Sequence, residues 1–130
     1  MSKSKFTLDA TKFLKDFSQY AKFKYPEIVR QSMYKTGWFI IQLALKKKPY
    51  VPREIGDLQS SGDVVVETKG LELWVGFNKA YAAAMHEGKE SWNWTLPGSG
   101  PKYLESKLSM FKDDIIEFMA DLVNKAVGRL

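Results

Sequence analysis

Seven apolar residues recur at helical spacing near the end of the chain: Leu104, Leu108, Phe111, Ile115, Phe118, Leu122 and Ala126, with Met119 and Val123 broadening the stripe. A stripe this long must be covered by a second layer, which the rest of the chain has to supply. Pro101 suits the start of such a helix and Gly128 its end, so a C-terminal helix is predicted over about residues 102–127.

Upstream the period changes from helical to alternating. Val64, Val65, Val66 and Thr68 are β-branched, and Leu71, Leu73 and Val75 alternate with Glu72, Trp74 and Gly76. Lys69-Gly70 between the two runs suits a tight turn, which predicts strands within about 62–77. Val64, Val66, Leu71, Leu73 and Val75 would share one apolar face, and helices are the available cover for it.

Two helical patterns come first in the chain. Phe13, Phe17, Tyr20 and Ala21 predict a helix over about 8–23, with Thr7 or Asp9 as its cap. A second helix is predicted from Pro26 to about Lys47, with Ile28, Val29, Met33, Phe39, Ile40, Leu43 and Ala44 on its apolar side. Trp38 and Ile41 widen that side, so this helix should be contacted from more than one direction. Gly37 sits in its middle at a cost of about 1 kcal/mol relative to Ala, which points to a close approach or a kink. Lys46, Lys47 and Lys48 fall at the negative end of the helix dipole, and Pro49 stops the helix. The reading is a single α+β domain over 1–130: long helices packed on a small antiparallel β-sheet, with a C-terminal helix.

Composition narrows the chemistry. The 130 residues contain no cysteine and one histidine, so thiolate metal sites, disulfides and cysteine nucleophiles are excluded. Hydrophobic residues make up 45% and charged residues 27%, a globular balance. The basic start is followed by no apolar run, and no stretch approaches the ~20 apolar residues of a membrane span. A soluble chain made in the cytoplasm is expected. The net charge of +5 is uneven: residues 1–50 hold 11 Lys/Arg against 3 Asp/Glu, and residues 51–130 hold 9 against 12. Such asymmetry suits either a basic face toward nucleic acid or an acidic neighbour, or lysines that merely solvate two helices.

Catalytic groupings are sparse. His86 has Glu87 beside it and Glu90 four positions on, without recognised metal-ligand spacing; a surface or interface histidine is expected, and no metal or cofactor. Asp113, Glu117 and Asp121 share one helical face with Asp114 nearby, which reads as a solvated surface. Gly98-Ser99-Gly100-Pro101-Lys102 lacks Walker spacing. The chain is therefore expected not to be an enzyme. The aromatics carry more information. Trp92 and Trp94 lie in a Gly/Pro-rich loop at 88–101, Tyr50 lies in another loop, and Trp74 falls on the outer strand face. Such rings mark contact surfaces or fold back as a lid over the core.

Lys48-Pro49-Tyr50-Val51-Pro52-Arg53-Glu54-Ile55-Gly56-Asp57-Leu58-Gln59-Ser60-Ser61 resembles the loop of phage tail-completion and minor capsid proteins, in which a helix ends in a proline-bearing loop and a Gly-x-Leu-x-x-Ser segment leads into the sheet. Val75-Gly76-Phe77 with Tyr81-Ala82, Met85-His86-Glu87-Gly88, and Gly100-Pro101-Lys102-Tyr103-Leu104-Glu105 are similar to later elements of that family, in the same order. The motifs cover roughly residues 45–108.

The resemblance implies a structural virion subunit: a tail-completion or head–tail joining protein that forms a homo-oligomeric, commonly hexameric, ring in the neck between connector and tail. Its partners would be the phage connector and tail proteins, with DNA passing through the ring and no membrane involved. Under it, Tyr50, Trp74, Trp92 and Trp94 are candidate interface residues, and Lys46, Lys47 and Lys48 candidate DNA-facing residues. Two alternatives remain at this point: a small basic nucleic-acid-binding module, and a small metal-dependent hydrolase built on His86.

Overall fold

The computed structural model describes residues 6–9, 25–51, 59, 61–67, 72–77, 86–89, 98, 100 and 102–129. Strand β1 spans Phe6–Asp9, helix α1 Pro26–Lys46, strand β2 Gly62–Glu67, strand β3 Glu72–Phe77, helix α2 Glu105–Met110 and helix α3 Lys112–Gly128. The fold is α+β, with helices packed against a small antiparallel sheet and a C-terminal helix.

Helix α1 forms the central layer. Pro26 supplies a fixed φ at the first helical position, Glu27 lies in the first turn and Lys46 in the last, so both helix ends meet favourable charge. Its buried positions, Val29, Met33, Ile40, Ile41, Leu43 and Ala44, spread beyond a single stripe because it packs on β2 and β3 and also on α3. Phe39 stacks on Phe118 of α3 with ring centroids 4.4 Å apart. Gly37 makes the close approach to the sheet: a Cβ there would lie 2.5 Å from Val64 Cγ1 and 3.1 Å from Leu73 Cδ1.

The sheet order is β1-β3-β2, antiparallel throughout. Val64 pairs with Val75 and Val66 with Leu73, so these four share the face covered by α1. Val64, Leu73 and Val75 are buried and Val66 is partly buried against them. The predicted turn at Lys69-Gly70 and the face residue Leu71 lie outside the described residues.

Two expectations are corrected. The helix predicted over 8–23 does not include its first residues: Leu8 and Asp9, with the proposed cap Thr7, lie in β1 opposite Val75, Trp74 and Gly76. The cause is nonlocal, since β3 offers a second edge whose backbone groups need partners. The remainder of that predicted helix lies outside the described residues. The C-terminal helix is not continuous either, because Phe111 leaves helical geometry (φ −118°, ψ 29°) between α2 and α3. The chain stays bonded across the break, with the Phe111 N–H donating to Lys107 O and Ile115 N–H to Phe111 O. The buried positions Lys107, Ile115, Met119 and Val123 are separated by multiples of four, and in an unbroken helix such a series drifts by about 40° for every four residues. No described helix is long and apolar enough to cross a membrane.

Candidate functional site

Described residues of three connecting segments, 47–51, 86–87 and 98, meet near the start of α2. The segment after α1 is pinned from three sides: Val51 N–H donates to Ala44 O at 3.2 Å, Tyr50 N–H to Gly98 O at 3.0 Å, and the Lys107 ammonium to Pro49 O at 2.7 Å. Gly98 has φ +89°, and a Cβ on it would fall 2.7 Å from the Tyr50 ring, so glycine is required there on both counts. Tyr103 lies at the centre, fully buried, with its ring edge-on to Phe77 at 5.7 Å and to His86 at 5.0 Å.

His86 is fully buried, contrary to the expected surface or interface position. Its environment fixes its tautomer. Glu105 N–H donates to Nε2 at 3.1 Å, so Nε2 carries the lone pair and Nδ1 carries the hydrogen, with Nδ1 itself 3.3 Å from Glu87 Oε1. The imidazole thereby satisfies an unpaired donor at the first turn of α2, as a cap would. Burial holds the His86 pKa below its ordinary 6.5, with the Glu87 carboxylate acting in the opposite direction. Lys102 donates to Glu87 Oε2 at 2.5 Å and stands 3.6 Å from Glu105 Oε2.

His86, Glu87 and Glu105 each bring one possible metal-ligand atom within 4.8 Å of the others. Their present bonds do not suit a metal. A neutral imidazole has one lone pair, which here is taken by the Glu105 N–H, and the Lys102 ammonium bridges the two carboxylates. An ion would have to break the helix cap and displace a cation. The arrangement ties residues 86–87 to the start of α2.

This geometry gives a pH prediction. The unfolded chain takes up a proton at His86 near its ordinary 6.5 while the folded chain resists until lower pH, so stability falls as the pH drops through and below that value. His86→Gln, whose amide oxygen can accept the Glu105 N–H but does not titrate, should flatten this limb. His86→Ala should cost about 1–3 kcal/mol by leaving a buried donor unpaired. Urea midpoints of the three proteins between pH 5 and 8 check both statements.

The other anticipated residues are scattered. Lys46, Lys47 and Lys48 are exposed, and the Lys48 side chain lies beside Gly98. Tyr50 is half-buried against Gly98. Trp74 lies on the sheet face opposite the helices, paired with Val65; it is half-buried and Val65 is buried, so that face is covered at this point. Trp92 and Trp94 lie outside the described residues, as does Glu90. Asp113, Asp114, Glu117 and Asp121 are exposed, as a solvated face requires. Compared with known proteins, the chain matches no family model, no curated protein and no solved structure.

Sequence reasoning missed Lys107. It is fully buried, with its ammonium 2.7 Å from both Pro49 O and Tyr103 O and 3.5 Å from Ser106 Oγ. Burial lowers its pKa from 10.5 to about 8. Its one sequence signal is placement: Lys107 stands four residues before Phe111 and eight before Ile115, in line with the apolar stripe.

Proposed function

We propose that this chain is a structural subunit of a tailed-phage virion, a tail-completion or head–tail joining protein that closes into a homo-oligomeric ring, hexameric, between connector and tail. The observation that carries the reading is architectural. A long helix lies on a small antiparallel sheet and a C-terminal helix follows, the layout implied by the motifs between residues 45 and 108. The use of His86 and Lys107 is compatible with it, since both spend their polar atoms on joining loops to helix α2. In this reading function is geometry: identical subunits meet through heterologous contacts, and the loops dock on connector and tail proteins. The subunit is made in the host cytoplasm and acts in the virion, and passing DNA meets Lys46, Lys47 and Lys48 by phosphate neutralisation alone.

The exposed lysines at the end of α1 favour one second reading, a free-standing nucleic-acid-binding module. Light-scattering mass across concentration and salt separates the two. A discrete closed oligomer is expected. A monomer at every concentration, combined with duplex-DNA affinity that falls steeply with salt, would replace the ring reading with the second one.

A further inference from the structure

Helices α1 and α3 pack against each other, with Phe39 stacked on Phe118 between them. Beyond that stack, toward the start of α1 and the end of α3, they part to leave a groove of about 270 Å³. Its walls include Ile28, Leu122 and Ala126, and Lys35, Lys125 and Arg129 stand around it with no acidic residue in the lining. All three cations are exposed, and none makes an ion pair among the described residues. The same is true of four acids on the first part of α3: Asp113, Asp114, Glu117 and Asp121 are exposed and make no ion pair among the described residues. One subunit thus carries two unmatched patches of opposite sign. Along α3, Asp113, Glu117 and Asp121 are continued at the same spacing of four by Lys125 and Arg129.

We infer that the α1–α3 groove receives the acidic first half of α3 from a second copy of this chain. Charge complementarity argues for this occupant: three cations meet up to four carboxylates, and like-charge contacts are costly enough to fix the register. In a ring, the groove of each copy would take the acidic face of the next, a heterologous contact that passes from copy to copy. The inference rests on the ring reading above and assigns that assembly one of its contacts.

Mixing of charge-reversed copies tests it. One variant carries Lys35→Glu and Lys125→Glu in the groove, and the other carries Glu117→Lys and Asp121→Lys on the helix face. Thermal melts by circular dichroism establish that both are folded. Each variant alone should associate at least about tenfold more weakly than wild type, as loss of complementary interface charge predicts. An equimolar mixture should regain wild-type mass, because each groove then meets a face of opposite sign. If wild type forms its oligomer and both folded variants form it equally well, or the mixture fails to recover, this contact is wrong while the ring reading stands. If wild type remains monomeric and a duplex DNA oligonucleotide binds it through Lys35 and Lys125, the occupant is nucleic acid and both readings fall.

Discussion

Replacing Lys107 with alanine is expected to destabilise the fold by about 2–4 kcal/mol near neutral pH, and replacing it with methionine by clearly less. Three effects compete. Keeping a charged ammonium in this environment costs roughly 3 kcal/mol, the equivalent of lowering its pKa from 10.5 to about 8. Removing it relieves that cost but takes the donor from Pro49 O and Tyr103 O, at about 1–3 kcal/mol for each carbonyl left unpaired. Alanine adds a cavity, at about 2–5 kcal/mol for a large core side chain, and methionine fills most of it. The cavity therefore decides the difference between the two variants, which equilibrium urea unfolding resolves. Equal losses from both would show that the hydrogen bonds, and not the packing, make Lys107 important.

The same residue gives a second signature in pH. Between about 8 and 10.5 the unfolded chain still holds the Lys107 proton while the folded chain has released it. The unfolded state thus binds more protons, and the contribution of Lys107 to stability rises with pH across this window. The neutral amine keeps two N–H donors for its two carbonyls, so the bonds to Pro49 O and Tyr103 O survive the titration. Wild type should accordingly gain on Lys107→Met as pH rises from 8 to 10.5, by up to about 3 kcal/mol. A constant difference would mean that Lys107 titrates as an exposed lysine does.

Enlarging Gly37 is the other large effect. In an exposed helix Gly→Ala gains about 1 kcal/mol, but here the new Cβ would stand 2.5 Å from Val64 Cγ1. Overpacking of this kind costs about 1–3 kcal/mol, so Gly37→Ala should be neutral to destabilising by about 2 kcal/mol. Gly37→Leu should lie at the top of the overpacking range or beyond, because its branches have to enter the seam that Val64 and Leu73 occupy. Val64→Ala opens that seam, so Gly37→Ala combined with Val64→Ala should be more stable than the sum of the two single losses. Thermal melts of the four proteins measure the coupling. Strict additivity would place the helix farther from the sheet.

Much of this fold was legible in local patterns, for identifiable reasons. Pro26 and Pro49 bracket α1 because a ring-locked φ starts a helix and a missing N–H ends one, and these effects need no partner. The alternation around Val64 and Val75 placed both on one face because strand side chains alternate with a period of two. Gly37, a poor helix residue in a good helix, pointed to a close approach or a kink, and the packing on Val64 and Leu73 shows that it is the close approach. The exposure of Asp113, Glu117 and Asp121 followed from their phase on α3.

Tertiary structure decided the rest. Phe6–Asp9 became a strand because β3 presents an edge to it, and four residues carry no period strong enough to announce that pairing. His86 was singled out for its carboxylate neighbours, yet its environment is set by Glu105 N–H and the Tyr103 ring, 19 and 17 positions away. Lys107 stands in line with the apolar stripe, but its charge reads as a surface residue; its ammonium is buried because Pro49 O, 58 residues earlier in the chain, arrives beside Tyr103 O. Periodicity and capping act through neighbours in the chain, so residue types alone determine them. Burial of a charge depends on which acceptors distant segments bring to it, and only the folded arrangement of those segments supplies them.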